Sequence, residues 1–193
     1  MATFPQVPLK ENPAYREMSV EEFLNLEIEG RAELIDGMLF MMAGGSLSHA
    51  AVSGNILIAL GNKLRGSGCR PFGPDLGVRT NPASVRLPDA SVYCGLSMSE
   101  EQLRAKLVGD PKLVVEVFSP STRREDERVK LPEYQSLTGV EVILLVDPEA
   151  ERVRLVARTG PDDWLDRLLP QGDDVPLDAL GIKLTADEIF ARD

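Results

Sequence analysis

The chain is poor in the residues that staple small folds or build metal knuckles. It has two cysteines, Cys69 and Cys94, no C-x-x-C pair and a single histidine, His49. That argues against a disulfide scaffold and against a zinc knuckle, and the two cysteines read as small buried apolar residues. No stretch approaches the ~18 to 20 consecutive apolar residues of a membrane span. The segment Met1–Lys10 lacks a basic start and an apolar core, so no signal peptide is expected and the cytoplasm is the expected location. Basic residues are also scarce: 21 Lys and Arg against 31 Asp and Glu leave a net charge of −10. This excludes a globally basic protein held to nucleic acid by its whole surface, but not a local basic groove.

What is present is 193 residues with 43% hydrophobic content, enough for one domain with a sizeable core. The acid excess is uneven. Residues 1–60 carry −5, 61–90 carry +3, 91–160 carry −2 and 161–193 carry −6. The ends are acidic and the middle is not. Within the middle, Arg123, Arg124, Arg128 and Lys130 fall close together, as a solvated helix face or as a basic rim facing a ligand.

Residues 1–17, with Pro5, Pro8 and Pro13, read as an extended arm. The remainder, 18–193, reads as one domain, with 159–193 as its C-terminal extension. Ser19-x-x-Glu22 is a capping box that opens a helix over 19–27. Asp36-Gly37 between apolar runs predicts a hairpin over 33–42. The apolar spacing from Ala51 to Leu64 predicts a helix over 48–65. Strands follow over 69–80 and 85–94, then a helix over 99–107 and a nearly continuous apolar strand over 112–119. A helix over 123–138 contains Pro132, so it either kinks there or begins nearer Lys130. Residues 140–146 read as a second buried strand, 151–158 as its antiparallel edge partner, 163–169 as a short strand and 185–191 as a last helix. The order predicts a mixed central sheet flanked by helices, α/β bordering on α+β.

Glu116 is the only charge inside the strand Val114-Val115-Glu116-Val117-Phe118, and an unpaired charge there costs several kcal/mol. It is either salt-bridged or a metal ligand at the end of the sheet. Asp89 follows Pro88 at the start of another apolar strand. Alone it is a turn residue, but two carboxylates on neighbouring strands can hold one hard divalent cation. Asp75, in the second Pro-Asp pair, precedes Leu76-Gly77 and is a poorer choice.

Pro88-Asp89, then Glu116-Val117-Phe118-Ser119-Pro120-Ser121-Thr122, then Lys130 with Tyr134, and Val140 to Pro148 together resemble the bacterial restriction-endonuclease family within the PD-(D/E)XK nuclease superfamily. Glu33-Leu34-Ile35-Asp36-Gly37 and Ser48-His49 fit the same pattern, which spans about residues 18 to 158. The resemblance implies a restriction-endonuclease-like fold and Mg²⁺-dependent hydrolysis of DNA phosphodiester bonds, with Mn²⁺ as a substitute. It implies Asp89 and Glu116 as metal-binding acids, with Glu33 as a third. The lysine of the family pattern, two positions after Glu116, is replaced by Phe118, and Lys130 matches a lysine moved to the following helix. Lys112 shares the pleat face of Glu116 but lies roughly 13 Å away along the strand. Asp126, one turn before Lys130, is either its orienting partner or an ordinary surface pair. His49 either caps the long helix or sits over the metal site.

Three functions are compatible with these residues: a metal-dependent endonuclease, a catalytically inactive nuclease-fold module for binding or assembly, and a hydrolase of a small phosphorylated substrate. The acidic surface predicts weak, salt-sensitive DNA binding. Duplex cleavage commonly uses two sites, so a homodimer or higher homo-oligomer is expected, with Phe40–Met42 and the C-terminal segment as candidate contacts.

Overall fold

The computed structural model describes residues 16–119 and 123–192. Most of the proposed N-terminal arm and the Pro120-Ser121-Thr122 part of the strand-ending motif lie outside them. Ser19 caps helix α1 (Val20–Asn25), and both halves of the capping box form. The hairpin follows as β1 (Ala32–Ile35) and β2 (Met38–Met41), paired antiparallel. Asp36 at φ 48 and Gly37 at φ 80 make the turn, the backbone conformation that this dipeptide favours. Helix α2 (Leu47–Lys63) is capped by the Ser46 hydroxyl and buries Val52, Ile56, Ala59 and Leu60 along one stripe.

The two long strands expected next are four short ones: β3 (Cys69–Phe72), β4 (Val78–Asn81), β5 (Ser84–Arg86) and β6 (Ala90–Cys94). Gly73-Pro74 and Leu87-Pro88 break them, because proline cannot continue a ladder and each break lets the chain change sheets. β4 and β5 join the hairpin in a four-stranded sheet of order β2-β1-β5-β4. β3 and β6 belong to a six-stranded sheet of order β10-β9-β8-β7-β6-β3. The helix expected over 99–107 is only α3 (Glu100–Leu103), which buries nothing and has no packing to extend it.

The centre of the larger sheet is β7 (Leu113–Val117), buried throughout, parallel to β8 (Val142–Asp147) and antiparallel to β6. β9 (Arg152–Arg158) is not the edge expected from its alternation. β10 (Trp164–Leu168) pairs along it from Arg158 to Arg154 and takes the edge. A small two-stranded sheet, β11 (Val175–Leu177) and β12 (Ile182–Leu184), and helix α6 (Ala186–Phe190) pack with α2 on one face of the main sheet. On the other face lies one helical stretch from Arg123 to Ser136: α4 (Arg123–Glu125), a widened π turn (Asp126–Lys130) and α5 (Leu131–Ser136). It continues through Pro132 because the turn before it widens. The Leu131 N–H bonds to the Asp126 carbonyl five residues back. Thus the mixed sheet flanked by helices is present.

Cys69 and Cys94 are not buried free thiols. They face each other across the β3–β6 pair and form a disulfide, and both are only partly buried. Their separation of 25 residues hides a direct cross-strand pairing that only the register reveals. Among the described residues, no helix is long and apolar enough to cross a membrane.

Candidate active site

The β6–β7 ladder ends with Ala90 opposite Val115, and Asp89 lies one residue beyond it, beside the end of β7 that carries Glu116. Val115 and Val117 point to the opposite face of the strand, and the helical stretch that carries Lys130 and Tyr134 covers Glu116, so its carboxylate is 3% exposed. Asp89 is fixed by the Val117 N–H, which donates to Oδ2 at 2.7 Å, and His49 Nε2 lies 3.3 Å from the same oxygen. That contact holds the imidazole pKa above its usual value, against the opposing effect of partial burial. His49 reaches it from the first turn of α2.

The Arg123–Ser136 helical stretch brings the other half. Lys130 is buried, with Nζ 3.2 Å from Glu116 Oε1, 3.3 Å from Glu33 Oε1 and 3.3 Å from Asp126 Oδ1. Burial alone would lower its pKa, but the three carboxylates raise it, so Lys130 is a firm cation. Tyr134 donates to the same Glu116 oxygen at 2.6 Å. Burial pushes the Glu116 carboxyl up to about 8; Lys130 opposes this, while Asp89 and Asp126 add to it. Among the described residues, the second oxygen of Glu116 and Oδ1 of Asp89 accept no hydrogen bond from the protein.

Glu33 is placed differently from the other two acids. Oε1 accepts from the Leu87 N–H at 3.0 Å and meets Lys130, while Oε2 accepts from Arg86 at 3.0 Å. Burial would raise its pKa, but Lys130, the Leu87 N–H and Arg86 hold it below the usual value. Arg86 has a fully buried side chain. Its guanidinium also donates to both oxygens of Glu133 at 2.8 Å each and to Glu125 at 3.2 Å. Sequence reasoning missed Arg86 and Glu133 and gave Tyr134 no role. A signal existed for the tyrosine: Asp126, Lys130 and Tyr134 recur every fourth residue, one stripe of a helix. Arg86 had only its closeness to Asp89.

The site opens into a cleft of about 400 Å³, whose lining includes Glu33, Asp89, Glu116 and Lys130 together with the hairpin residues Ile35, Phe40 and Met42. Counted as ionised, the six carboxylates Glu33, Asp89, Glu116, Glu125, Asp126 and Glu133 outnumber, among the described residues, the cations Arg86 and Lys130 that pair with them and Arg31 in the cleft lining. The site therefore carries an excess of negative charge. Among the described residues, no group of three His, Cys, Asp or Glu side chains is arranged to hold a metal ion. The donors that face each other, Asp89 and Glu116, are hard oxygens, and Mg²⁺ commonly takes one or two carboxylates with waters filling the rest. The pair fits such an ion as an open site. It does not form a closed cage. Lys112 pairs with Glu141, away from the cleft.

Comparison with known proteins shows the family and the fold. The model of the Uma2 family, described as "Putative restriction endonuclease", matches residues 20–187. The chain is 29% identical over 179 residues to the "Uncharacterized protein slr1290" of Synechocystis sp., covering 91% of this chain and 93% of that one. A crystal structure titled as a putative nuclease belonging to DUF820, from Anabaena variabilis, superposes with a TM-score of 0.75 at 19% identity. The match covers 90% of this chain and 98% of that one, a likeness of fold.

Proposed function

Since the chain belongs to the Uma2 family of restriction-endonuclease-like proteins, we propose that it is a divalent-metal-dependent endonuclease hydrolysing DNA phosphodiester bonds. The observation that carries this reading is the pair Asp89–Glu116 at the end of adjoining strands, with the buried cation Lys130 3.2 Å from Glu116. Asp89 and Glu116 are the residues that would hold Mg²⁺ or Mn²⁺. The ion, when bound, activates water and neutralises charge developing on the phosphorus. The Val117 N–H aims Asp89, and Tyr134 with Lys130 aims Glu116. Each therefore leaves one oxygen to the cleft.

Lys130 is the residue that stabilises a hydroxide or the phosphorane charge beside Glu116. Glu33 has both oxygens engaged, so in this reading it holds Lys130 in place rather than binding metal. Asp126 does the same from one turn away. Arg86 anchors Glu33 in turn.

The test compares wild type, Asp89→Asn and Lys130→Met on plasmid and single-stranded DNA with Mg²⁺ or Mn²⁺, and titrates Mn²⁺ by calorimetry. Wild type cleaves, Asp89→Asn loses metal binding and cleavage, and Lys130→Met keeps Mn²⁺ binding while losing about a hundredfold or more in rate. Equal cleavage by wild type and Asp89→Asn refutes the assignment. Absence of Mn²⁺ binding at millimolar metal favours the inactive binding module, a reading that the two-carboxylate site supports.

A further inference from the structure

The hairpin that carries Glu33 has a second feature that the metal site does not use. Glu33 pairs directly with Phe40 across β1 and β2, so the two side chains stand on the same face. Ile35 shares that face by alternation, and Met42 follows Phe40 two residues on. Ile35, Phe40 and Met42 all line the cleft that holds Asp89, Glu116 and Lys130. Phe40 is 51% exposed although it is large and apolar. Arg31 is exposed at the rim of the same cleft. The cleft thus has a charged floor and an apolar wall with an arginine beside it.

That division matches the chemistry of one nucleotide. The floor suits the phosphodiester once a divalent cation on Asp89 and Glu116 offsets its negative charge, the arginine suits a flanking phosphate, and the wall suits the flat apolar face of a base. A base stacked inside an intact duplex has no free face to offer. Resting on the endonuclease reading, we propose that the cleft takes an unpaired nucleotide, with Phe40 stacking on its base, so that the substrate is single-stranded or locally unpaired DNA. The acid excess of the chain points the same way, because a single strand presents fewer phosphates to a −10 surface than a duplex does. Base–aromatic stacking is tolerant of sequence and contributes strongly to single-strand binding.

The test measures binding without turnover. A single-stranded oligonucleotide carrying 2-aminopurine, the same sequence as a blunt duplex, and a free dinucleotide are titrated with Ca²⁺ in place of Mg²⁺, to hold the charge of the site without turnover, against wild type, Phe40→Ala and Phe40→Trp. Anisotropy and 2-aminopurine quenching are read. Wild type binds the single strand several-fold more tightly than the duplex and quenches the probe. Phe40→Ala loses about tenfold in single-strand affinity together with the quenching, and Phe40→Trp retains both. Binding of the dinucleotide as tightly as the strand would assign the wall to a small nucleotide substrate and overturn the strand reading. Equal affinity of wild type and Phe40→Ala would overturn the stacking. So would a change in sedimenting mass on Phe40→Ala with oligonucleotide binding unchanged, which would make the wall a contact between copies. Cleavage assays with Mn²⁺ keep the two readings apart: loss of activity in Asp89→Asn with no effect of Phe40→Ala leaves hydrolysis standing and removes the stacking alone.

Discussion

Replacing Arg86 with methionine separates a built ion network from a decorative one. The Arg86 side chain is fully buried, and its partner Glu33 is 6% exposed at the side chain. Breaking a buried pair leaves an uncompensated charge and costs about 3 to 5 kcal/mol. The other two partners reach solvent, with Glu133 at 18% and Glu125 at 44%, so water recovers much of what they lose. The low end of that range applies, about 3 kcal/mol. In a chain of this size each kcal/mol moves the melting temperature by roughly 2 to 4 °C, so Arg86→Met melts about 10 °C lower. Urea denaturation reads the same loss as a lowered midpoint at unchanged slope. Arg154→Met is the internal control. It breaks the surface pair with Asp166, whose side chains are 29% and 44% exposed, and surface pairs contribute below about 1 kcal/mol. If Arg86→Met loses no more than Arg154→Met, the argument from burial is wrong.

Two further outcomes follow from the same structure. Reduction of Cys69–Cys94, or their joint replacement by serine, frees a loop spanning 25 residues and costs about 3 kcal/mol by chain entropy. A lower urea midpoint in reducing agent checks it, and no shift would argue against the bond. Asp147 is nearly buried, which alone would raise its pKa, but the Ala150 N–H, Arg123 and the Glu149 N–H hold it below the usual 3.8. A carboxylate with a lowered folded pKa stabilises the protein fully above its unfolded value and loses that contribution as pH falls through the folded one. Asp147→Asn is therefore less stable than wild type at pH 7, and the gap narrows below about pH 4. A gap that stays constant down to pH 3 in denaturation curves would contradict this.

The fold was legible where local and long-range signals agree. Ser19 with Glu22, Asp36-Gly37 and the apolar stripe of α2 each specify their own structure within a few residues. The partition of 69–94 into two sheets was not legible, because strand-breaking prolines mark where a chain stops but not which sheet it enters next. The Cys69–Cys94 pairing failed for the same reason, since register is a property of two segments together. In the site, Glu116 announced itself as a charge in a buried strand. Arg86 did not, because an arginine at the end of a short strand, two residues before a proline, looks like surface. Its importance arises from Glu33 and Glu133, 53 and 47 residues away. Long-range charge pairs of that kind leave no local periodicity to read.

The departure at Phe118 becomes intelligible on the same terms. A lysine at that position would stand on the pleat face of Glu116, two residues on. Phe118 is instead buried with Val114, Leu131 and Tyr134, and the Arg123 guanidinium lies 4.8 Å from its ring. Those contacts seat the very helical stretch that supplies Lys130. Leu131 enters the core under it, and the widened turn Asp126–Lys130 immediately precedes Leu131. A lysine at 118 would place an ammonium in that apolar contact, where it would need its own partners. With phenylalanine there, the helix docks tightly, and its lysine reaches Glu116, Glu33 and Asp126 at once. Under the proposed mechanism, losing the lysine from the strand and gaining one from the helix are then a single structural solution, because the residue that displaces the first is part of what positions the second.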